Sequence, residues 1–362
     1  MSDARPRRIA ALVECLGSAH LDGLLLTSLS NIRYLTGFSG SSALLVVTPR
    51  DVTLITDFRY QTQVADEVGN IARVVIEPAS LWTGLWRHLA ALPNMQVVGF
   101  ETSHIQHRDF QRLVEAGARW QWRPTADLVE VLRERKDAGE IDRIRDAAGV
   151  ATRALERTFA EIRVGLTELQ VAGVLEKALR DEGSEGFPFP SIVASGPRSA
   201  LPHARSSTRE IETGDFLLMD FGAEVGGYCS DVTRTVVVGR ADDEHREVYE
   251  VVKVANERAA KGVRAGMSGR DADGIARQYI ERAGYGELFG HSLGHGIGLE
   301  VHESPRLAKT SEAMLAEGAV VTIEPGVYRP GWGGVRIEDD VVLDANGSQM
   351  LTHFPRELIE LG

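Results

Sequence analysis

Two aspartates in the stretch Gly214–Thr235, GDFLLMDFGAEVGGYCSDVTRT, restrict the fold of this chain more than any other residues. Phe216–Met219 is a short apolar run, Gly222 and the pair Gly226–Gly227 carry turn chemistry, and Val232–Val238 is rich in β-branched residues. That pattern predicts a β-hairpin. Asp220 closes its first strand and Asp231 opens its second. A carboxylate directly after FLLM is costly to bury unless something positive neutralises it. Closing the hairpin brings both acids together, and two close carboxylates either share a proton or hold a cation. Taken alone, the stretch suits equally well two aspartates that cap turns.

A second stretch tilts the balance. Gly318–Gly326, GAVVTIEPG, repeats the layout of Gly214–Gly222: a glycine, an apolar run, an acid six residues on and a glycine two beyond that. Glu324 stands where Asp220 stands. Each acid is followed by another that opens a β-rich run, Asp231 after 11 residues and Glu338 after 14. A repeat of this kind implies two related halves that present carboxylate pairs to one centre. His295 lies between the pairs, in GHGIGLEVHE. Four carboxylates and one imidazole form a donor set suited to two divalent metals of the manganese, cobalt, zinc or iron kind.

With 362 residues, 43% of them hydrophobic and 25% charged, the chain reads as a two-domain globular protein. A net charge of −12 without any basic block argues against nucleic acid. Apolar runs such as Gly23–Leu26 and Ala43–Val47 are far too short to span a bilayer, so no membrane partner is expected. MSDARPRR leads into no apolar secretion segment, and Cys15 and Cys229 are too few for a disulfide framework, which together fit a cytoplasmic setting. Cys229 is read as a buried structural thiol.

Residues 1–125 alternate strand-like and helix-like runs, predicting a small α/β domain without a phosphate loop. NIRYLTGF (Asn31–Phe38) and DFRY (Asp57–Tyr60) are read as surface pairing of Arg and Asp at a domain edge. Residues 126–136 are read as a linker, with Pro124 before it and a charged run around Arg133. Asp137 and Glu140 have capping-box spacing, followed by an apolar stripe from Ile141 to Ile162, and Thr167 with Gln170 opens a second helix. Helices interleaved with hairpins make 137–362 an α+β domain with antiparallel sheet.

Three further histidines are assigned function. His203 lies in LPHARSS, His291 stands four before His295, and His302 seven after it. The crowded glycines 290, 294, 296 and 298 argue against a helix there, so the four-residue spacing of His291 and His295 is accidental. A dimetal hydrolase needs donors around a developing oxyanion, and these histidines can supply them. GHSLG (290–294) matches the nucleophile elbow with Ser292, but neither a strand before it nor a helix after it is expected. A dinucleotide fingerprint fails for the same reason.

PHA with His203, DFGAEVGGYCSDVTRT, HSLGHGIGLEVHE, TIEPGVY and VRIEDD together resemble the pita-bread metallopeptidases, and within them the prolidases and aminopeptidases P. The likeness covers roughly 137–362, and the N-terminal α/β domain is of the creatinase/prolidase kind. The resemblance implies a curved antiparallel sheet with a pseudo-two-fold repeat. It makes Asp220, Asp231, His295, Glu324 and Glu338 the metal ligands, His203, His291 and His302 the lining of the substrate site, and Arg336 a support for the ligands. It implies hydrolysis of the bond before proline in dipeptides or short peptides and two metal ions (manganese first) that activate a bridging water; for that chemistry Glu324 is the choice of proton carrier. It also implies a homodimer. The alternatives are an exopeptidase like methionine aminopeptidase and, remotely, a serine hydrolase using Ser292.

Overall fold

A computed structural model describes residues 3–362, which divide into two compact units, 3–133 and 134–362. In the smaller unit six strands form one mixed sheet: β1 (Gly23–Leu26), β2 (Ala43–Val47), β3 (Val52–Thr56), β4 (Arg73–Ile76), β5 (Val97–Glu101) and β6 (Gln121–Thr125). Their order is β4-β3-β2-β1-β5-β6, with β1–β2 and β2–β3 antiparallel and the other pairs parallel. β1 and β2 are buried along their whole length, as strands covered on both faces must be. The helices are α1 (Arg5–Ser18), α2 (Leu29–Thr36), α3 (Gln61–Val68), α4 (Leu81–Ala91), α5 (His107–Glu115) and α6 (Glu130–Glu134).

Two readings of this region change. Residues 29–36 form a helix, because the Ser28 side chain accepts from Asn31 N–H and Gly37 closes the end at φ 82°. The stretch read as linker carries α6, and Pro124 sits just before it inside β6. A proline is tolerated there because β6 is the edge strand. Asp57 and Arg59 do pair at the surface, 2.7 Å apart.

The larger unit opens with α7 (Ala138–Phe159) and α8 (Glu168–Asp181), each started by a complete capping box, Asp137 with Glu140 and Thr167 with Gln170. Then come β7 (Ile192–Ser195), β8 (Phe216–Phe221), the short β9 (Glu224–Val225) and β10 (Tyr228–Cys229), and β11 (Val232–Val238). Next are α9 (Asp243–Gly262) and α10 (Gly269–Arg282). The chain ends with β12 (Gly294–Gly296), β13 (Glu303–Leu307), β14 (Val320–Ile323), β15 (Gly326–Arg329), β16 (Gly333–Arg336), β17 (Asp339–Leu343), β18 (Ser348–Met350) and β19 (Glu360–Leu361).

The strands make two main sheets, β19-β11-β8-β7 and β13-β12-β14-β17-β18, antiparallel except where β19 joins β11. Each is backed by its own helix pair. Leu155, Leu175, Leu217, Met219 and Val236 share one core cluster with α7 and α8, and Val252, Ala276, Val321, Ile323 and Val341 share the other with α9 and α10. The expected hairpin is β8 with β11, and its counterpart is β14 with β17. Both halves thus bury an apolar face against helices and leave the opposite face for polar residues. Among the described residues no helix is long and apolar enough to cross a membrane.

The halves are joined through buried backbone contacts. Glu338 N–H donates to the Thr233 carbonyl at 3.1 Å, and Arg234, 1% exposed, donates to the carbonyls of Thr233, Glu338, Phe354 and Pro355 and to Asp339 Oδ1 at 2.7 Å. Removing this guanidinium strands buried acceptors and leaves Asp339 with only Arg356 of its two arginine partners, so Arg234→Met is expected to cost about 3–5 kcal/mol. Urea unfolding of the larger unit, followed by hydrogen-exchange mass spectrometry, measures this, and a loss below about 1 kcal/mol would contradict the clamp.

Candidate active site

Side-chain alternation in β8 fixes the first member. Leu217, Met219 and Phe221 pack toward α7 and α8, so Asp220 lies on the other face, where its Oδ2 accepts from Arg336 Nη2. Pairing of β8 with β11 sets Thr233 opposite Asp220. Thr233 Oγ1 donates to Glu338 Oε2 at 2.6 Å and accepts from Arg336 Nε at 3.0 Å. Asp231, the residue before β11, is held through its backbone N–H, which donates to Asp340 Oδ2 at 3.0 Å. In the second half, Thr322 lies on the face of β14 opposite Val321 and Ile323. Its hydroxyl accepts from His295 N–H at 3.1 Å and donates to Glu324 Oε1 at 3.3 Å.

His295 occupies the middle of β12, and the glycines on either side now have a reason. A Cβ at Gly294 would stand 2.0 Å from the Thr322 carbonyl oxygen, and one at Gly296 would stand 2.1 Å from that of Ser304. Neighbouring strands close on β12 too tightly for side chains. The His295 ring donates from Nδ1 to the Gly296 carbonyl at 3.0 Å, which leaves the Nε2 lone pair facing Glu324 Oε1 at 3.5 Å and Asp231 Oδ2 at 3.8 Å.

All five groups are buried or nearly so, and burial leads the shifts, with like charge next for Asp231 and Glu338. Burial, then the neighbouring Glu338 and Asp220, pushes the Asp231 carboxyl well up; burial, then Glu324 and Asp220, does the same to Glu338. Glu324 is pushed up to about 8, chiefly by burial, with Arg336 working against the rise. Burial holds the His295 imidazole down at about 4, hence neutral. Candidate ligand atoms of Asp231, His295 and Glu338 lie within 4.8 Å of one another, and Asp220 Oδ1 and Asp231 Oδ1 are buried without a protein hydrogen-bond partner. Carboxylates crowded this way, facing a neutral imidazole nitrogen, fit divalent cations of the kind expected.

These groups line one end of a cavity of about 900 Å³ that also receives His203, His302 and Arg306. His302 is exposed, its ring centred 4.3 Å from that of His295, and partial desolvation there lowers its basicity. His291 reaches the same cavity, but both its nitrogens are engaged, Nδ1 with the Ser292 carbonyl at 2.8 Å and Nε2 with Tyr328 Oη at 2.9 Å. Arg336 Nη1 donates to that phenol oxygen at 2.7 Å, so the phenol proton points to His291. His291 therefore braces the wall and has no free donor for an oxyanion, unlike the role expected for it. Burial pushes Tyr328 up to about 12.

Ser292 leads into the strand β12 and not into a helix, so the nucleophile-elbow context is missing. Cys229 is packed among Ile144, Tyr228 and Ile297, and burial pushes its thiol up, as befits a structural residue. Tyr328, Thr233, Thr322 and Arg306 escaped the sequence reading. The two threonines were open to a period-two argument from Asp231 and Glu324, whereas Tyr328 and Arg306 depend on strand register.

A two-sheet α+β unit with a carboxylate–imidazole centre between its halves defines a metallopeptidase of the pita-bread class. The chain belongs to metallopeptidase family M24, whose profile matches residues 142–345, and its residues 8–135 match the creatinase/prolidase N-terminal domain. An Xaa-Pro dipeptidase of Pyrococcus horikoshii is 36% identical over 359 residues, 99% of this chain and 100% of that one. The structure of an Xaa-Pro dipeptidase from Bacillus anthracis matches with a TM-score of 0.95 at 41% identity, covering 99% of this chain and 100% of the other. That of an X-Pro aminopeptidase from Thermotoga maritima matches at 0.90 and 38%, covering 97% and 99%.

The raised carboxyls make a stability prediction for chelator-treated protein. Their protons are held more tightly folded than unfolded, so stability is fully present below the ordinary value of 4.5 for a glutamate and is lost as pH rises through about 8. Asp231→Asn removes one buried charge. It should raise the stability of the treated protein at pH 8 by about 1 kcal/mol or more, with a smaller gain at pH 5. The same change should lower peptidase activity by more than about 100-fold, beyond the 10–100-fold typical of residues that only support ligands. Urea unfolding at the two pH values checks the first part; destabilisation at pH 8 would contradict it.

Proposed function

We propose that the chain is an Xaa-Pro peptidase that cleaves the bond before proline and prefers dipeptides. The observation that carries this reading is the convergence of Asp220, Asp231, His295, Glu324 and Glu338 in one cavity with His203, His302 and Arg306. In this reading the five residues hold two divalent ions, manganese first, with cobalt, zinc or iron as substitutes. Such a pair, when bound, supplies a water with its pKa lowered to about 7.

The chain's own groups do the rest. Glu324, which lines the cavity and has its Oε1 held by the Thr322 hydroxyl at 3.3 Å, is placed to take up a proton during attack and return it to the departing proline nitrogen. His302 and His203 present N–H donors to the carbonyl oxygen as it gains charge. Arg336 fixes Asp220 and Tyr328 together, which keeps one carboxylate and the His291 wall in register. Proline explains why a dedicated site is needed: its tertiary amide has no N–H and its φ is fixed, so a protease that grips its substrate as a strand loses a hydrogen bond there.

Dipeptide preference is supported by Arg306, a guanidinium on β13 opposite His295 that faces the cavity and suits a free C-terminal carboxylate. The matched N-terminal domain weighs against the methionine-aminopeptidase alternative. The names of the relatives agree with either Xaa-Pro activity.

Chelation should abolish hydrolysis of Ala-Pro, and added manganese, cobalt or zinc should restore it. Full activity in protein shown by elemental analysis to be metal-free would contradict the proposal. Ala-Pro should be cleaved faster than Ala-Pro-Ala, and Arg306→Gln should raise KM for Ala-Pro by about 10–100-fold, the size of a lost charged hydrogen bond, with far less effect on the tripeptide. Equal effects on both substrates would remove the dipeptide preference. For assembly, the proposal is a homodimer, and light scattering that finds a monomer at micromolar concentration would refute it.

A further inference from the structure

His203 sits near the tip of a loop that leaves β7 at Ser195 and returns at Ser207, where it meets the start of α8. Such an excursion has little regular structure beyond one tight turn at Gly196–Ala200, where Ser199 Oγ accepts from Gly334 N–H at 2.8 Å, so the placement of its tip depends on side-chain ties. Three side chains close the base: Ser206 Oγ accepts from Val193 N–H at 3.0 Å, Arg209 Nη1 donates to Ser195 Oγ at 2.7 Å, and Glu168 alone reaches both ends. Glu168, the first residue of α8, is fully buried and directed at both ends of the loop. Its Oε1 accepts from Ser195 N–H at 2.8 Å and from Ser195 Oγ at 3.0 Å. Its Oε2 accepts from Ser207 N–H at 2.9 Å and Ser207 Oγ at 2.7 Å. Arg198, in the middle of the excursion, gives its Nε to the same carboxylate at 3.0 Å and its Nη2 to the Arg205 carbonyl at 2.6 Å.

A carboxylate this deep is tolerable only with such a set of donors, and the N-terminus of α8 adds a favourable dipole. Few other side chains could replace it, because both oxygens accept from two separate segments. The far side of the tip is tied to the candidate metal residues, since Arg336 Nη1 donates to the Pro202 carbonyl at 3.3 Å. His203, next in sequence, is thus suspended between the Arg336–Asp220 pair and the Glu168 hub.

We propose that Glu168 is a positioning residue that sets the placement of His203 in the cavity. The inference rests on His203 acting as a donor in the proposed reaction. Glu168→Gln keeps the size of the side chain but converts one of the two acceptor oxygens into a donor, so at least one end of the loop loses its anchor. Metal content, measured by elemental analysis, should be unchanged, and kcat on Ala-Pro should fall about 10–100-fold with little change in KM, the scale of lost outer-shell support.

The deciding measurement is the pair with His203→Ala. If Glu168 acts through His203, Glu168→Gln should have no further effect, within about two-fold, once His203 is absent. A repeated loss of the same size in the His203→Ala background would overturn the proposal, as would a normal kcat in Glu168→Gln with only a lower melting temperature. Should that variant fail to fold, Ser195→Ala and Ser207→Ala each remove one hydroxyl donor and keep the backbone ones. Both should lower kcat and be silent without His203; an equal loss in both backgrounds would overturn the idea.

Imidazole NMR of chelator-treated, histidine-labelled protein separates this claim from the reading of function. The His203 resonance should broaden or move in Glu168→Gln while that of His291 stays in place. If wild-type protein cleaved no Xaa-Pro bond, the reading of function would fail, and this spectrum would still decide whether Glu168 holds His203. An unmoved His203 signal would refute it.

Discussion

The burial of several carboxylates beside one another is the constraint on which the larger unit is built. Asp231, Glu324 and Glu338 are all made weaker acids, first by desolvation and then by neighbouring carboxylates, and Arg336 only partly offsets the rise of Glu324 and Glu338. An arrangement so costly for the bare chain is expected where cations are to be held, because their charge repays the desolvation of the acids. The surroundings agree: a neutral histidine with its lone pair directed inward, and two buried carboxylate oxygens without protein partners.

Holding such a centre in place requires rigid supports, and β-structure supplies them. Period-two alternation lets each strand bury an apolar face on helices and still project an acid or a threonine to the other side. The two halves are then locked by cations placed behind the centre. Arg234 joins the backbones of Thr233 and Glu338, and Arg336 bridges Asp220, Thr233 and Tyr328. Backbone acceptors satisfied by buried guanidinium groups fix distances far better than exposed ion pairs would. The irregular loops, where His203 and His291 reside, need separate anchors. Glu168 serves the first, and the Asp273–Arg277 pair of α10 serves the second by binding the carbonyls of Phe289 and His291 and the N–H of Leu293.

What could be read from the chain was what repeats or alternates locally. The apolar runs before Asp220 and Glu324, and the glycines around them, marked the paired strands and the acids together. Capping boxes at Asp137 and Thr167 gave the starts of α7 and α8. The helix at Leu29–Thr36 was missed because its polar and aromatic residues mask a short apolar stripe, and Pro124 suggested a linker although it lies in an edge strand. Tyr328 and Glu168 could not be found from spacing, since their partners lie 37 and 27 residues away and meet them only through tertiary register. The donor role expected of His291 fails for a related reason: its occupancy by Tyr328 and its own neighbour's carbonyl is invisible until the strands are assembled.

The central claim is that five side chains from two structurally related halves hold a pair of divalent ions. Anomalous diffraction at the manganese edge, from crystals equilibrated with manganese, tests it most directly. The account predicts two peaks, both enclosed by Asp220, Asp231, His295, Glu324 and Glu338. A single peak, or peaks that leave any one of these five side chains unbound, would contradict it.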